Sequence, residues 1–216
     1  MLSEDNRYYV CALANAIYMK ADWVNKFEKE GTYKENFTDI NGDESEIDFM
    51  HQAAAFQYYE NGDTKAVKLP YENGLSMVVV LGDTKNILND IHNGKMTSKL
   101  VEVTLPKIKA EYSIDYVNIL KNMGIEKAFD YQNADFSLML ENYPERIKID
   151  FVLQKAMIDV DERGTEAAAA TVALVTKSAL SVDEEVIEFK ADKPFTYYIL
   201  DDSGNVYFAG RYVKAE

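Results

Sequence analysis

Few side chains in this sequence stand at spacings that support covalent or metal chemistry. There are two histidines, His51 and His92, and neither has a cysteine, histidine or carboxylate at metal-ligand spacing, so both read as surface or loop residues. The one cysteine, Cys11, lies inside the apolar run 8–18 and reads as a small core residue rather than a reactive thiol. Asp159 and Asp161 fall on one side of a strand end, where acidic pairs are usually solvated. Asn36-Phe37-Thr38 is a glycosylation sequon of low specificity. The sequence holds no glycine-rich phosphate loop, nucleophile elbow or paired-cysteine motif. Enzymatic catalysis is therefore not expected, and neither is a cofactor or a metal to assist it. What stands out instead is a run of small side chains inside residues 159–180: Gly164, Thr165, Glu166, Ala167, Ala168, Ala169, Ala170 and Thr171. Alanine is the best helix former and Thr165 could cap an N-terminus, so the run reads as a helix. The rival reading is a segment built to become a β-strand. Composition alone leaves both open.

The elements around this run are mostly strands. Residues 8–19 form an apolar segment whose β-branched and aromatic content favours a strand over a short helix. Two Asn-Gly pairs, Asn41-Gly42 and Asn61-Gly62, sit between apolar pieces at 36–39, 46–50, 56–59 and 66–69, the pattern of hairpins. Residues 75–81 (LSMVVVL) read as a strand buried on both faces. Helical spacing of Ile87, Leu88, Ile91 and Leu100 predicts a helix within 84–100. A second helix is predicted at 115–123, with Tyr116, Val117, Leu120 and Met123 on one face and Gly124 as its stop. Strands are expected at 101–105, 107–114, 147–160, 186–189, 194–200 and 206–212. Many strands, few helices and no regular βαβ repeat predict an α+β fold with antiparallel or mixed sheets.

The chain has 216 residues and a formal net charge of −14, enough length for one large domain or two small ones. Such an acidic surface argues against nucleic acid and anionic membrane as partners. No apolar run approaches the roughly 20 residues needed to span a bilayer. The start, MLSEDNRYY, is polar and acidic and lacks the basic and apolar regions of a signal peptide, so none is expected in these residues.

Seven ordered motifs carry a resemblance to a known family. They are NAIYMKADW at 15–23, VKLPYENGLSMVVVL at 67–81, VTLPKIKAEY at 103–112, MGIEKAFD at 123–130, ADFS at 134–137, VLQKAMIDVDERGTEAAAAT at 152–171, and KPFTYYILDDSGNVYFAGRY at 193–212. Together they resemble the serpins, and the alanine-rich run resembles the hinge of an inhibitory, bacterial-type member. The resemblance implies a serine-protease inhibitor rather than an enzyme, acting outside the cell. Its mixed sheets would include residues 8–19 as the third strand of the main sheet and 152–160 as the fifth. An exposed reactive loop at about 162–185 would be cleaved by the protease, would insert between those strands, and would trap the protease covalently. Family spacing places the cleaved bond at Ser178-Ala179, which suits elastase-like proteases. Lys177-Ser178 is the competing bond and would suit trypsin-like ones.

The resemblance also assigns roles. Glu162, Gly164, Thr165, Glu166, Ala167, Ala168, Ala169, Ala170 and Thr171 would form the hinge, with Glu162 paired to Lys107. Asn15, Trp23, Lys107 and Gln154 would lie where the sheet opens; Gln154 stands where many members have histidine. In an inserted strand Thr165, Ala167, Ala169 and Thr171 would share one face, and all are small. Insertion would add on the order of 10 kcal/mol of ladder hydrogen bonds at about 1 kcal/mol each. Complete serpins are longer, so residues 1–216 would be a partial domain without the N-terminal helices and first two strands of the main sheet. It would then be a fragment, or a separate chain would supply the rest; apolar faces left open would favour self-association. A non-inhibitory serpin and an inactive fragment are the alternative readings.

Overall fold

A computed structural model describes residues 11–139, 147–165 and 186–215. In chain order the first strands are β1 (Ala12–Tyr18), β2 (Ala21–Asp22), β3 (Tyr33–Thr38), β4 (Glu44–Asn61), β5 (Thr64–Pro70) and β6 (Leu75–Leu81). Helix α1 (Ile87–His92) precedes β7 (Thr97–Pro106) and β8 (Ile108–Asp115), and helix α2 (Val117–Asn122) precedes β9 (Phe151–Val160). The chain ends with β10 (Gly164–Thr165), β11 (Ile187–Lys190), β12 (Phe195–Asp201) and β13 (Val206–Tyr212). The α+β, sheet-dominated architecture is as expected.

The chain divides into two compact units, one formed by residues 1–19 and 110–158, the other by 20–109 and 159–216. The first holds a three-stranded sheet in the order β1-β9-β8. Its β1 and β9 are parallel, with Ala12 opposite Phe151 and Tyr18 opposite Met157. Six of the seven β1 residues are exposed, so the apolar sequence of this strand is not packed into a core here. Helix α2 likewise has no buried residue, and Met123 of its predicted apolar face is 73% exposed.

The second unit carries the larger core. Its main sheet runs β11-β7-β4-β5-β6-β12-β13, with β3 paired to β4. Phe37, Phe49, Met77, Leu105, Phe189, Phe195 and Ile199 are among its fully buried side chains. Five consecutive buried residues in β6 explain its continuous apolar sequence: both faces of a central strand are covered.

Three sequence expectations are corrected. The strands expected at 46–50 and 56–59 are one continuous strand, β4, because the alanines between them hydrogen-bond to β7 along a ten-position ladder. Leu100 is not on the face of a helix; α1 stops before Gly94 (φ 70°), and Leu100 is buried in β7 opposite Ala55. His51 is neither loop nor surface residue, since it lies within β4 and is half-buried, whereas His92 is exposed at the end of α1.

Candidate functional site

The site is built where the chain leaves β9. Residues 161–164 make a tight turn: the Asp161 N–H donates to the Gly164 carbonyl (2.9 Å) and the Gly164 N–H to the Asp161 carbonyl (3.2 Å). The Asp161 carboxylate accepts the Arg163 N–H at 2.8 Å, so this acid shapes the turn and is not merely solvated. Gly164 has φ +137°, and a β-carbon there would lie 2.2 Å from the Ala21 carbonyl oxygen and 2.7 Å from the Trp23 nitrogen. Only glycine combines that conformation with so close a backbone approach. The approach allows β10 to pair antiparallel with β2, Gly164 opposite Asp22 and Thr165 opposite Ala21.

Trp23 fastens the turn from the side. Its N–H donates to the Arg163 carbonyl (2.8 Å), and its indole Nε1–H donates to the Asp161 carbonyl (3.0 Å). The indole is buried, stacked on Tyr71 at 4.1 Å between ring centroids, with Phe27 edge-on at 6.2 Å. The Phe27 N–H donates to the Glu162 carbonyl at 2.9 Å. The Glu162 carboxylate, itself buried, meets Lys107 Nζ at 2.8 Å. Burial pushes the Glu162 carboxyl up, but the hydrogen bond and charge of Lys107 prevail and hold it below the ordinary carboxylate range.

These contacts gather Trp23, Lys107, Glu162 and Gly164 into one site within the second unit. Asn15 and Gln154 belong to the sheet of the first unit, where they face each other in the parallel β1–β9 register. Thr165 is placed by its backbone in β10. Glu166, Ala167, Ala168, Ala169, Ala170, Thr171, Lys177, Ser178 and Ala179 lie outside the described residues. Phe27 and Tyr71 do not stand out in the sequence as parts of a site, and Asp161 reads there only as a solvated acid at a strand end. Of these, Tyr71 alone leaves a signal, as an aromatic directly after Pro70 at the end of a strand. Among the described residues no group of three or more His, Cys, Asp or Glu could hold a metal ion. None of the described helices is long and apolar enough to cross a membrane.

A glycine turn thus carries the chain from the end of β9 into the short strand β10, which is anchored on β2 and Trp23. Residues 2–215 match the family described as serpin (serine protease inhibitor), and the chain belongs to that family. An uncharacterized serpin-like protein of Thermococcus kodakarensis is 36% identical over 216 residues, covering 92% of this chain and 48% of that protein. The crystal structure of tengpin, a thermophilic serpin in the native state, superposes with a TM-score of 0.78 and 29% identity, covering 94% of this chain and 55% of that one. A highly specific serpin of the insect Tenebrio molitor gives a TM-score of 0.76 and 32% identity, with 98% and 58% covered. The chain thus spans about half the length of the relatives it matches.

Proposed function

We propose that this chain carries the hinge and reactive loop of a serine-protease inhibitor that works by loop cleavage, strand insertion and covalent trapping. The observation that supports this reading best is the β1–β9 pair, direct neighbours in parallel register over seven positions. Parallel pairing is somewhat weaker per residue than antiparallel pairing. A loop that leaves the end of β9 and folds back between these strands runs antiparallel to both, replacing one parallel ladder with two antiparallel ones. At about 1 kcal/mol net per hydrogen bond, insertion over roughly a dozen residues releases on the order of 10 kcal/mol. That is comparable to the whole stability of an ordinary domain. The small residues Thr165, Ala167, Ala169 and Thr171 on the inward face let this happen without burying a charge.

In this reading the protease serine oxygen attacks the Ser178 carbonyl, and the Ser178-Ala179 bond breaks. The acyl ester remains on Ser178, and Ala179 becomes a new amino terminus. Insertion then displaces the protease before water hydrolyses the ester. Elastase-like enzymes are the expected targets, trypsin-like ones if Lys177 is the bait. The setting is extracellular, and the exposed β1 strand offers a surface for self-association.

Incubation with an elastase-like and a trypsin-like protease, followed by denaturing gel electrophoresis, tests the reading. The expected result is a denaturant-resistant complex, with a released peptide that begins at Ala179 by mass spectrometry. Thr165→Arg is expected to abolish the complex while leaving cleavage intact, because an inward charge slows insertion. Cleavage without any complex in the unmutated chain, or undiminished trapping by Thr165→Arg, would count against it.

A further inference from the structure

Strand β11, which follows residues 166–185, has a thin attachment to its sheet. It pairs in parallel with β7 over only four positions, Ile187 to Lys190 against Val101 to Thr104. Its own Phe189 is buried, and the Ala191 N–H just beyond it donates to the Thr104 carbonyl at 2.9 Å. A second attachment is made by side chains. Lys190 on β11, Thr104 on β7 and His51 on β4 form one cross-strand row. Lys190 Nζ lies 2.5 Å from Glu35 Oε2 of β3, and Glu35 Oε1 lies 2.7 Å from His51 Nε2. The half-buried Glu35 therefore carries a partner on each oxygen and ties β11 to β3 across the intervening strands. The other ring nitrogen, His51 Nδ1, is 2.9 Å from the Gly31 carbonyl oxygen. The imidazole lies flat on Tyr33, with centroids 4.1 Å apart and planes 3° from parallel.

Both oxygens that face His51 can only accept. A neutral imidazole has one N–H and one lone pair, so one of the two contacts would set lone pair against lone pair; the imidazolium donates to both. The geometry points to His51 as a proton-dependent latch on β11. When protonated it fixes Glu35 where that carboxylate grips Lys190; when neutral it gives up one contact, Glu35 is freed and the strand loosens. A cation stacked on Tyr33 fits the same arrangement.

The charged groups around the latch are consistent with it. Burial pushes the Glu35 carboxyl up, yet Lys190 and His51 together hold it below the ordinary range. The Lys190 ammonium is pushed up, chiefly by Glu35, with Asp192 and Glu188 adding to it. Glu102 on β7 stands opposite Glu188 and leaves the neighbourhood acidic. Among these groups an imidazole is the kind of side chain that ordinarily changes charge between about pH 5 and about pH 8. The hold on β11 is therefore complete while the ring carries both protons and is weakened when it carries one.

Backbone amide exchange read by mass spectrometry tests the latch. Protection of residues 187–190 is compared with that of the central strand β6 at about pH 5 and about pH 8, each normalised to its intrinsic rate. The expected result is a fall in relative protection of β11 on the order of tenfold toward the higher pH. His51→Gln can still donate to Glu35 but does not titrate, and its β11 protection is expected to be independent of pH. Lys190→Met is expected to lower protection at both values. The same pH dependence in His51→Gln as in the unmutated chain would overturn the proposal. Should that variant not fold, the nitrogen shifts of the His51 ring decide the matter in His92→Gln, where no other histidine remains. Both ring nitrogens protonated and hydrogen-bonded at about pH 5 supports the latch; a neutral ring there overturns it.

Discussion

The two strands that flank residues 166–185 are held by opposite means. On the β10 side the chain is fixed by backbone: a turn closed at Gly164, a strand pair with β2, and the Trp23 indole bonded to a carbonyl. Its ion pair, Glu162 with Lys107, supplements a geometry that main-chain contacts already determine. On the β11 side a four-position ladder and the buried Phe189 are joined by an attachment of side-chain charge, Lys190 to Glu35 to His51, that has no counterpart in the β10 strand pair. Packing and backbone geometry respond little to pH and salt, while hydrogen-bonded charges respond to both. In the proposed latch the β11 end can therefore be tightened or loosened by the medium, while the β10 end rests on contacts that respond little to it.

If that contrast is right, the largest effects on the β10 side come from groups that set shape. Trp23→Ala removes a buried indole together with its stacking on Tyr71 and its bond to Asp161, and is expected to lower stability by about 3–5 kcal/mol. Urea unfolding measures this; a loss below about 1 kcal/mol would mean that Trp23 is not the fastening. Next comes Gly164→Ala. Its methyl would meet the Ala21 carbonyl at 2.2 Å in a left-handed conformation, so β10 and β2 must separate. The expected loss is about 2–3 kcal/mol, accompanied by faster exchange at the Trp23 amide, which donates to Arg163. Unchanged exchange at Trp23 would place the constraint elsewhere.

Lys107→Met should cost more than its exposed position suggests. The lysine is 40% exposed, but the Glu162 side chain is only 7% exposed and would be left as a buried carboxylate without its counter-charge. Burial, until then offset chiefly by Lys107, would push the Glu162 carboxyl up from where it is held in the unmutated chain. The expected loss is about 2 kcal/mol at neutral pH. It should shrink as the solution is acidified and Glu162 takes up its proton. A loss that stayed constant from neutral to acidic pH would show that the lysine acts by packing.

Much of this molecule is legible in its sequence where a single strand carries the information. The continuous apolar run of β6 and the Asn-Gly turns ahead of β5 and within the β3–β4 hairpin predict themselves, because local chemistry decides them. The middle of β4 does not. His51 and the alanines at 53–55 have no strong strand propensity, and only the ladder to β7, distant in sequence, makes them a strand. The latch lies in that stretch, which is why His51 reads as a surface residue until Tyr33, Glu35 and Gly31 are seen around it. Lys107 and Glu162 likewise share no spacing rule; the family resemblance supplies the pair, and backbone bonds from Phe27 to Glu162 and from Lys107 to Asp48 hold its two chain segments. The exposure of β1 runs against its apolar sequence, since burial depends on what a strand packs against and not on the strand alone.

The smallest expected effect sharpens the comparison most. Glu162→Gln leaves Lys107, which is already partly in water and can be solvated at little cost, so the loss should be about 1 kcal/mol. Its pH dependence has a definite sign. The Glu162 carboxyl is held below 4.5, so its stabilisation is fully present above that value and disappears as pH falls through the lower, folded-state value. Unfolding curves of the unmutated chain and of Glu162→Gln should therefore differ at neutral pH and converge in acid. Under the proposed latch His51→Gln should show the reverse, differing from the unmutated chain while the imidazole is protonated and converging once it is neutral. Two variants at the two ends of one segment, with opposite pH slopes, would establish that the anchors are independent. Parallel slopes would mean that both report a single global property of the sheet, and the distinction between a rigid and an adjustable end would fall.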